Sequence, residues 1–549
     1  MTAIGRVLLI YSDPYYLVKQ IYPYGLDLLA ARLRREGIET RIEPAFLPGA
    51  EALTNLTQVV AEFRPDLVGI GIRNLDTCMA CEEYGQLAGD GYRSFFFLPQ
   101  VREVADAVRQ LLPDVPVICG GGGFTIAPRD ILDYLAIDYG VIGEGEAALA
   151  AFVQQWPDRS RLQQIPGLIV RTENGFRETM RQPFSFPAPA HAERDAGFGH
   201  AFESAGLPVR VKRGCNQACT FCVEPIIEGK RFIYRDAVDA IGELQDCAAL
   251  DQIRSIFFVD TEFNVPDLSY ATQLLDYLLA AGLEKRYRFA SQFLPRPFTD
   301  AFAALLAKAG MSVIMTATSF ADEVLEAAGV SYRRRDIIAA IDLCARHDID
   351  ITIDLIFGLP GETWATVEET ICAMNDYPEN SRRRYEYTVG ARIYPGTALA
   401  EMVRSPSGNT AVYGRLTPEL LEPCFFCTPA APLELKRFVD ARLPSPMRFA
   451  NELSESRRAR LAVAYLADRG RYAEALRTYL SLHLPDKAAA FDYFFRQSAN
   501  HGALETARQA AEDLKQAIDA AHDPAYYGQI GVIDYYLGVL EKAGSGLTS

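Results

Sequence analysis

The chain predicts an α/β protein of two successive parallel-sheet units followed by an all-helical tail. Three observations carry this. Short apolar strands alternate with amphipathic helices from residue 1 to about 150, and the alternation resumes near 206 and runs to about 400. Beyond about 430, Ala, Leu and Tyr recur at helical spacing with Arg and Glu between them. Strand–helix alternation implies parallel strands joined by crossover helices, hence a doubly wound sheet. A chain of 549 residues has room for two to four such domains.

In the first unit strands fall at Val7–Tyr11, Leu67–Ile72, Val115–Cys119 and Tyr139–Ile142, with helices at about 25–36, 51–63, 100–112 and 146–155. Leu26, Leu29, Ala30 and Leu33 share one helical face. Open parallel sheets bind ligands beyond the carboxyl ends of their strands. The segments there are Ser12-Asp13, Arg73-Asn74-Leu75-Asp76, the run Gly120, Gly121, Gly122, Gly123 with Thr125, and Gly143-Glu144-Gly145-Glu146. Consecutive glycines let the backbone pass close to a bulky ligand. The G-x-G-x-x-G and Walker A patterns are absent. Cys78 and Cys81 have the spacing of a redox pair, but no second pair or histidine accompanies them, which favours a packed loop. Tyr92, Phe95, Phe96 and Phe97 are expected to cap a cofactor or substrate.

Pro183 and Pro187, among few helix formers, mark 181–205 as a linker. Strands then follow at 208–213, 255–260, 287–292, 312–317, 351–356 and 387–394, giving six βα repeats. After the first comes Cys215-Asn216-Gln217-Ala218-Cys219-Thr220-Phe221-Cys222, a C-x3-C-x2-C run. Soft thiolates set this close can face one concave site and favour an iron–sulfur cluster or zinc. The fourth cysteine of a closed structural zinc site does not follow at matching spacing. Three ligands on a four-iron cluster leave one iron open to a small molecule.

With Phe221 before its last cysteine, the run resembles the signature of the radical S-adenosylmethionine (SAM) superfamily, where SAM binds the open iron through its amino and carboxylate groups. The glycine run as far as Pro128, together with the Gly143–Glu146 run, resembles the cobalamin-binding domain found ahead of many radical SAM domains. The run from Asp354 to Thr363, D-x-I-x-G-x-P-G-E-T, resembles the superfamily's adenine-side loop, and Tyr394-Pro395-Gly396-Thr397 is similar to cobalamin-dependent members. The resemblance covers about residues 5–400. It implies a cobalamin-binding Rossmann-like domain over 1–180, the linker 181–205, a partial (β/α)6 radical SAM barrel over 206–430 and a helical C-terminal domain over 431–549.

The resemblance also implies site roles. Cys215, Cys219 and Cys222 would hold a 4Fe–4S cluster. Asp260, Thr261, Gln292, Thr318, Ser319, Asp354, Gly358 and Tyr394 are the candidate cofactor contacts of the barrel, Gln292 for SAM's carboxylate or the substrate, although Thr318 replaces an acid that relatives often carry. Asp13, Asn74, Gly120–Gly123, Thr125, Gly143, Glu144 and Gly145 are the candidate cobalamin contacts. Many cobalamin proteins offer a histidine to the lower face of cobalt in a D-x-H-x2-G motif, whereas the first histidine here is His191. The expectation is base-off cobalamin with no imidazole beneath the metal. Arg73 is then expected near cobalt, where a cation excludes a lower ligand and favours cob(I)alamin. Glu262 is expected to ligate or crowd the open iron, disfavouring reductive cleavage of SAM and favouring its use as a methyl donor.

The chain most resembles the subgroup containing the tryptophan 2-C-methyltransferase of thiopeptide biosynthesis. That implies a C-methyltransferase in which a methyl group passes from SAM to cob(I)alamin and on to a carbon of an amino-acid-derived natural-product precursor, C2 of tryptophan being one candidate. The alternatives are methylation of an sp3 carbon through a 5′-deoxyadenosyl radical, or ring contraction or cyclisation without methylation. A flavodoxin or ferredoxin is the kind of reductant expected. A net charge of −16 argues against a general nucleic-acid grip, and no uncharged apolar run is long enough for a membrane span. Eleven cysteines, several in predicted core elements, fit a reducing cytoplasm better than a disulfide framework.

Overall fold

Seven strands form the first sheet of the computed structural model, which describes all residues except 1–2, 14–20, 48–50, 83–84, 157, 188–190, 248–252, 406–410, 444–447, 450–454 and 546–549. They are β1 (Arg6–Tyr11), β2 (Glu39–Pro44), β3 (Leu67–Gly71), β4 (Val117–Gly120), β5 (Tyr139–Val141), β6 (Leu168–Thr172) and β7 (Gly175–Glu178), in the order 2-1-3-4-5-6-7. The first five run parallel and β6–β7 is an antiparallel hairpin on the β5 edge. Neither β2 nor the hairpin is among the strands expected from sequence. Both lie at sheet edges, where charged residues such as Glu39, Arg41 and Arg177 break the apolar run that marks a central strand.

Helices α1 (Tyr24–Arg35) and α2 (Glu146–Gln155) pack on the sheet face carrying Val7, Leu9 and Ile118. The opposite face, with Leu8, Ile70 and Cys119, is covered by helices Ala52–Phe63, Leu98–Leu111 and Pro128–Leu135. The expected aromatic cap is not formed: Phe95, Phe96 and Phe97 are buried, and Phe96 belongs to this second core. Burial of three consecutive rings removes more apolar surface from water than a cap would.

The second sheet contains β8 (Leu207–Val209), β9 (Ser255–Phe258), β10 (Arg288–Phe293), β11 (Met311–Thr318), β12 (Ile351–Phe357), β13 (Arg383–Val389) and a last short strand β14 (Arg448–Phe449), in sequence order and all parallel. The expected first strand is split. After β8 the chain leaves the sheet, and Lys212–Arg213 pairs antiparallel with Ile233–Tyr234, which launches the cysteine loop sideways across the mouth. The expected strand 387–394 is broken too: Gly390 takes φ 76°, and Ala391–Arg392 pairs with Cys424–Phe426 instead.

Residues 196–205 of the expected linker form a 3-10 turn and a short helix, while 188–190 lie outside the described residues. The last five helices, from Glu455–Asp468 to Tyr527–Ser545, enclose a separate core around Val463, Tyr479, Phe494 and Leu514. Among the described residues no helix is long and apolar enough to cross a membrane.

Candidate active site

The carboxyl ends of the two sheets meet, and the residues singled out from sequence divide between them. On the first sheet, neighbouring strands place Leu9, Gly69 and Ile118 in one row of a face and Tyr11, Gly71 and Gly120 in the next. Three glycines in those two rows leave a hollow. A cavity of about 380 Å³ fills it, walled by Leu28 and Leu29 of α1 and Leu149 of α2, and extends to Pro208, Arg213 and Val259 of the second domain. A side chain at Gly71 would start 2.8 Å from Leu26 Cδ2, and one at Gly69 the same distance from Leu9 Cδ2. The sequence signal for this hollow was the Gly69-Ile70-Gly71 alternation inside a strand, which the reading of loop motifs passed over. A larger cleft of about 1130 Å³ adjoins it, sharing Tyr24, Glu144, Arg210 and Arg213.

The four-glycine run does structural work besides lining the cavity. Gly121 adopts φ 110°, and a Cβ there would stand 2.4 Å from Ile72 O. Gly123 N donates to Ile72 O and Arg73 O at 3.0 and 2.8 Å. These glycines therefore let the loop after β4 pack on the main chain after β3; Gly120 and Gly122 also line the cavity. Thr125 Oγ1 donates to Gly121 O and accepts from Gly143 N, both at 2.9 Å, fastening the two glycine-rich loops together. Glu144 accepts from Arg210 and Arg213, and Glu146 from Arg210. Burial disfavours the Glu144 charge, but the two guanidiniums hold its carboxyl below the usual range.

Arg73 lines the cavity with its side chain 40% exposed, and its Nε donates to Asp13 Oδ2 at 2.8 Å. With its amide oxygen turned to Arg73, Asn74 accepts from Arg73 Nη1 at 3.2 Å. Neither of the first two histidines lines the cavity. His191 pairs with Asp239 and Asp246, and His200 with Asp468. Asp76 is fully buried; its Oδ2 accepts from Arg392 Nε (2.7 Å) and its Oδ1 from Tyr394 OH (2.9 Å), locking this loop to the second domain. Tyr394, a candidate cofactor contact, is thus engaged in the domain junction, with Cys78 Sγ also 2.9 Å from its hydroxyl.

On the second sheet the cysteine loop is clamped from several sides. Cys215 N donates to Gly229 O, Thr220 N to Ala328 O, and Leu399 N to Thr220 O. Gly214, at φ 97°, passes so close to Arg231 that a Cβ would lie 2.2 Å from its carbonyl oxygen. Burial raises all three thiols, Cys219 to about 12 with a further push from Cys215. A metal bound there would take up the thiolate charge that burial disfavours.

Opposite them, Glu262 is buried at φ 54°, in the left-handed region. Thr316 Oγ1 donates to its Oε1 at 2.9 Å, while Oε2 has no hydrogen-bond partner among the described residues. Burial raises Glu262 to about 7, and its charge in turn raises Cys215 and Cys219 after burial has done so. Asp260 is likewise raised to about 7 by burial; its Oδ1 accepts from the main chain of Val211 and Lys212, and its Oδ2 is also unpartnered among the described residues. Thr261 Oγ1 donates to Glu228, which also accepts from Gly214 N. Gln292 is exposed at the end of β10. Thr318 bonds Tyr332 OH and Ser319 bonds Thr370, so both hydroxyls are engaged. Asp354 lies beside Thr316 on the neighbouring strand. Gly358 (φ 95°) donates its N–H to Glu362 and abuts Cys427, whose Sγ leaves no room for a Cβ.

Residues 209–372 match the Radical SAM superfamily, and residues 97–153 match the B12 binding domain. The chain thus carries a radical SAM domain and a B12-binding domain. It is 27% identical over 463 residues to the tryptophan 2-C-methyltransferase of Streptomyces laurentii, a match covering 72% of this chain and 74% of that one. It is 29% identical over 280 residues to a tRNA-2-methylthio-N(6)-dimethylallyladenosine synthase of Mycobacteroides abscessus, over 47% of this chain and 52% of the other. The radical SAM methyltransferase TsrM from Kitasatospora setae, solved with cobalamin and a 4Fe–4S cluster, superposes with TM-score 0.71 at 24% identity, over 86% of this chain and 99% of that one. The fold of the B12-binding and radical SAM domains is therefore shared with TsrM.

The residues present fit all three cofactors. The glycine hollow with its leucine walls suits the flat base of the cobalamin tail. The three thiols are a soft donor set for an iron–sulfur cluster. The unpartnered oxygens of Glu262 and Asp260 suit a cationic ligand, as SAM is at its sulfur and amino group.

Proposed function

We propose that this protein is a cobalamin- and SAM-dependent C-methyltransferase acting on an aromatic amino acid or a compound derived from one, tryptophan being the first candidate. The observation that carries the reading is the shared cavity. It is built by Gly71, Arg73 and Gly120–Gly122 from the B12-binding domain and by Arg213, Glu228 and Val259 from the radical SAM domain, so both halves face one space. Cobalamin, when bound, supplies a strongly nucleophilic cobalt centre that can carry a methyl group from SAM to carbon.

The chain's own residues prepare that space. Gly69 and Gly71 make room for the nucleotide base, and α1 and α2 keep water from it. Arg73, held by Asp13, offers a guanidinium, which has no lone pair to give a metal. Cys215, Cys219 and Cys222 would hold the cluster, and Glu262 would bring a carboxylate beside it. A carboxylate beside the cluster would disfavour reductive cleavage of SAM and favour its use as a methyl donor. The by-products of methylating an aromatic carbon in this way are S-adenosylhomocysteine and one proton. A reducing cytoplasm and a flavodoxin- or ferredoxin-type reductant suit such a protein.

The test is the reconstituted enzyme with cobalamin, methyl-labelled SAM and a panel of aromatic amino acids, followed by mass spectrometry. Labelled product with S-adenosylhomocysteine is the expected result. Product that carries no label would remove methyl transfer, and stoichiometric 5′-deoxyadenosine alongside methylated product would replace the polar route by a radical one.

A further inference from the structure

Lys212 lies on the short strand that feeds the cysteine loop, only 2% exposed and with its Nζ 5.3 Å from the Phe232 ring centre. Buried ammonium groups ordinarily pair with a carboxylate. Asp260 and Glu262 are both near, yet Lys212 Nζ donates to two carbonyls, Glu262 O at 2.5 Å and Val265 O at 2.7 Å. Its effect therefore falls on the main chain. Val265 N donates to Glu262 O at 3.3 Å, closing a turn from 262 to 265, and Lys212 holds the carbonyls at both ends of it.

The turn needs holding, because Glu262 occupies the left-handed region that side-chain-bearing residues avoid. A reciprocal bond completes the staple. Asp260 Oδ1 accepts from the N–H groups of Val211 and Lys212, so a side chain from each segment fixes the main chain of the other. Thr316 then takes Oε1 of Glu262 and leaves Oε2 without a partner among the described residues.

We infer that Lys212 is a positioning residue for Glu262: its ammonium holds the left-handed turn that aims the carboxylate at the cysteine loop. The inference rests on Glu262 acting at the cluster, as proposed above. The sequence signal was slight, a single lysine three positions before Cys215.

The experiment uses the reconstituted full-length chain as wild type, Glu262→Gln, Lys212→Met and Lys212→Arg. Iron per chain, cobalamin binding and the electron paramagnetic resonance spectrum of the reduced cluster are measured with and without SAM. All four proteins are expected to hold equal iron and cobalamin. Glu262→Gln and Lys212→Met should show the same spectral shift, and Lys212→Arg, which restores donors to the two carbonyls, should return the spectrum toward wild type. A wild-type spectrum for Lys212→Met beside a shifted Glu262→Gln would overturn the inference alone. So would loss of iron in Lys212→Met with iron retained in Glu262→Gln, since Lys212 would then support the cysteines and not the carboxylate. An unchanged Glu262→Gln spectrum would overturn the reading of Glu262 itself, and the inference with it.

Discussion

The acids at the end of the B12-binding sheet and the acids at the mouth of the barrel are treated in opposite ways. On the first side each has an arginine: Asp13 has Arg73, Asp76 has Arg392, and Glu144 has Arg210 and Arg213. On the barrel side Asp260, Glu262 and Glu362 are buried with no arginine or lysine ion pair among the described residues, and burial raises each to about 7. The nearest ammonium, Lys212, spends its hydrogen bonds on carbonyls. Paired acids fasten loops and domains. Of the unpaired acids, Asp260 and Glu262 each keep an oxygen without a partner among the described residues, and that is where cationic SAM and iron are expected, whereas Glu362 spends both oxygens on Gly358 N–H and Thr366. In the function proposed above, the B12-binding side meets its ligand chiefly where side chains are missing, at Gly69 and Gly71.

Four perturbations would break or sharpen this contrast. The largest effect should come from Cys222→Ala, which leaves two thiols for the cluster: iron content after reconstitution should fall to background and methyl transfer should vanish. Full iron in that variant would remove the loop as the cluster site. Next, Arg392→Met strands the Asp76 charge in a fully buried setting, and the loss of one partner of such a pair costs about 3–5 kcal/mol. Urea unfolding should show it, together with weaker cobalamin binding, because the same loop carries Arg73.

On the barrel side the expected sign is reversed. Burial raises Glu362 from 4.5 to about 7 although Gly358 N–H stabilises its charge. A folded value above that of the unfolded chain means that stability is greatest below the usual carboxylate range and is lost as pH rises from 4.5 toward 7. The contribution is at most about 3 kcal/mol. Glu362→Gln should flatten the fall in Tm across that window, and an unchanged slope would show that the acid is already compensated. Last, Gly71→Leu puts a side chain into the hollow and should weaken cobalamin binding on the order of 100-fold, about 2.7 kcal/mol, with iron content untouched. Equal affinity, read by titration of the cobalamin spectrum, would place the tail elsewhere.

These tests also divide what was legible early from what was not. Periodicity located the central parallel strands of both sheets, because central strands are continuous apolar runs; it missed β2, the β6–β7 hairpin and the two-residue β14, all at sheet edges, where charge is tolerated. Motif reading led to Cys215, Cys219, Cys222 and Glu262. It takes Thr125, Glu144 and Tyr394 as ligand contacts; Thr125 and Glu144 line the cavity, and all three side chains also knit loops and domains. Their partners, Gly143, Arg210 and Asp76, come from distant parts of the chain, and no local pattern announces such pairings.

The sequence by itself determined the order of the domains, the soft three-thiol donor set and the lack of a histidine before His191, since composition and spacing are local properties. Only the tertiary structure decided which acids are paired and which are spare. Pairing depends on where separate strand ends converge and on how far each carboxylate is taken from water. Neither can be read from the residues on its own side of the fold.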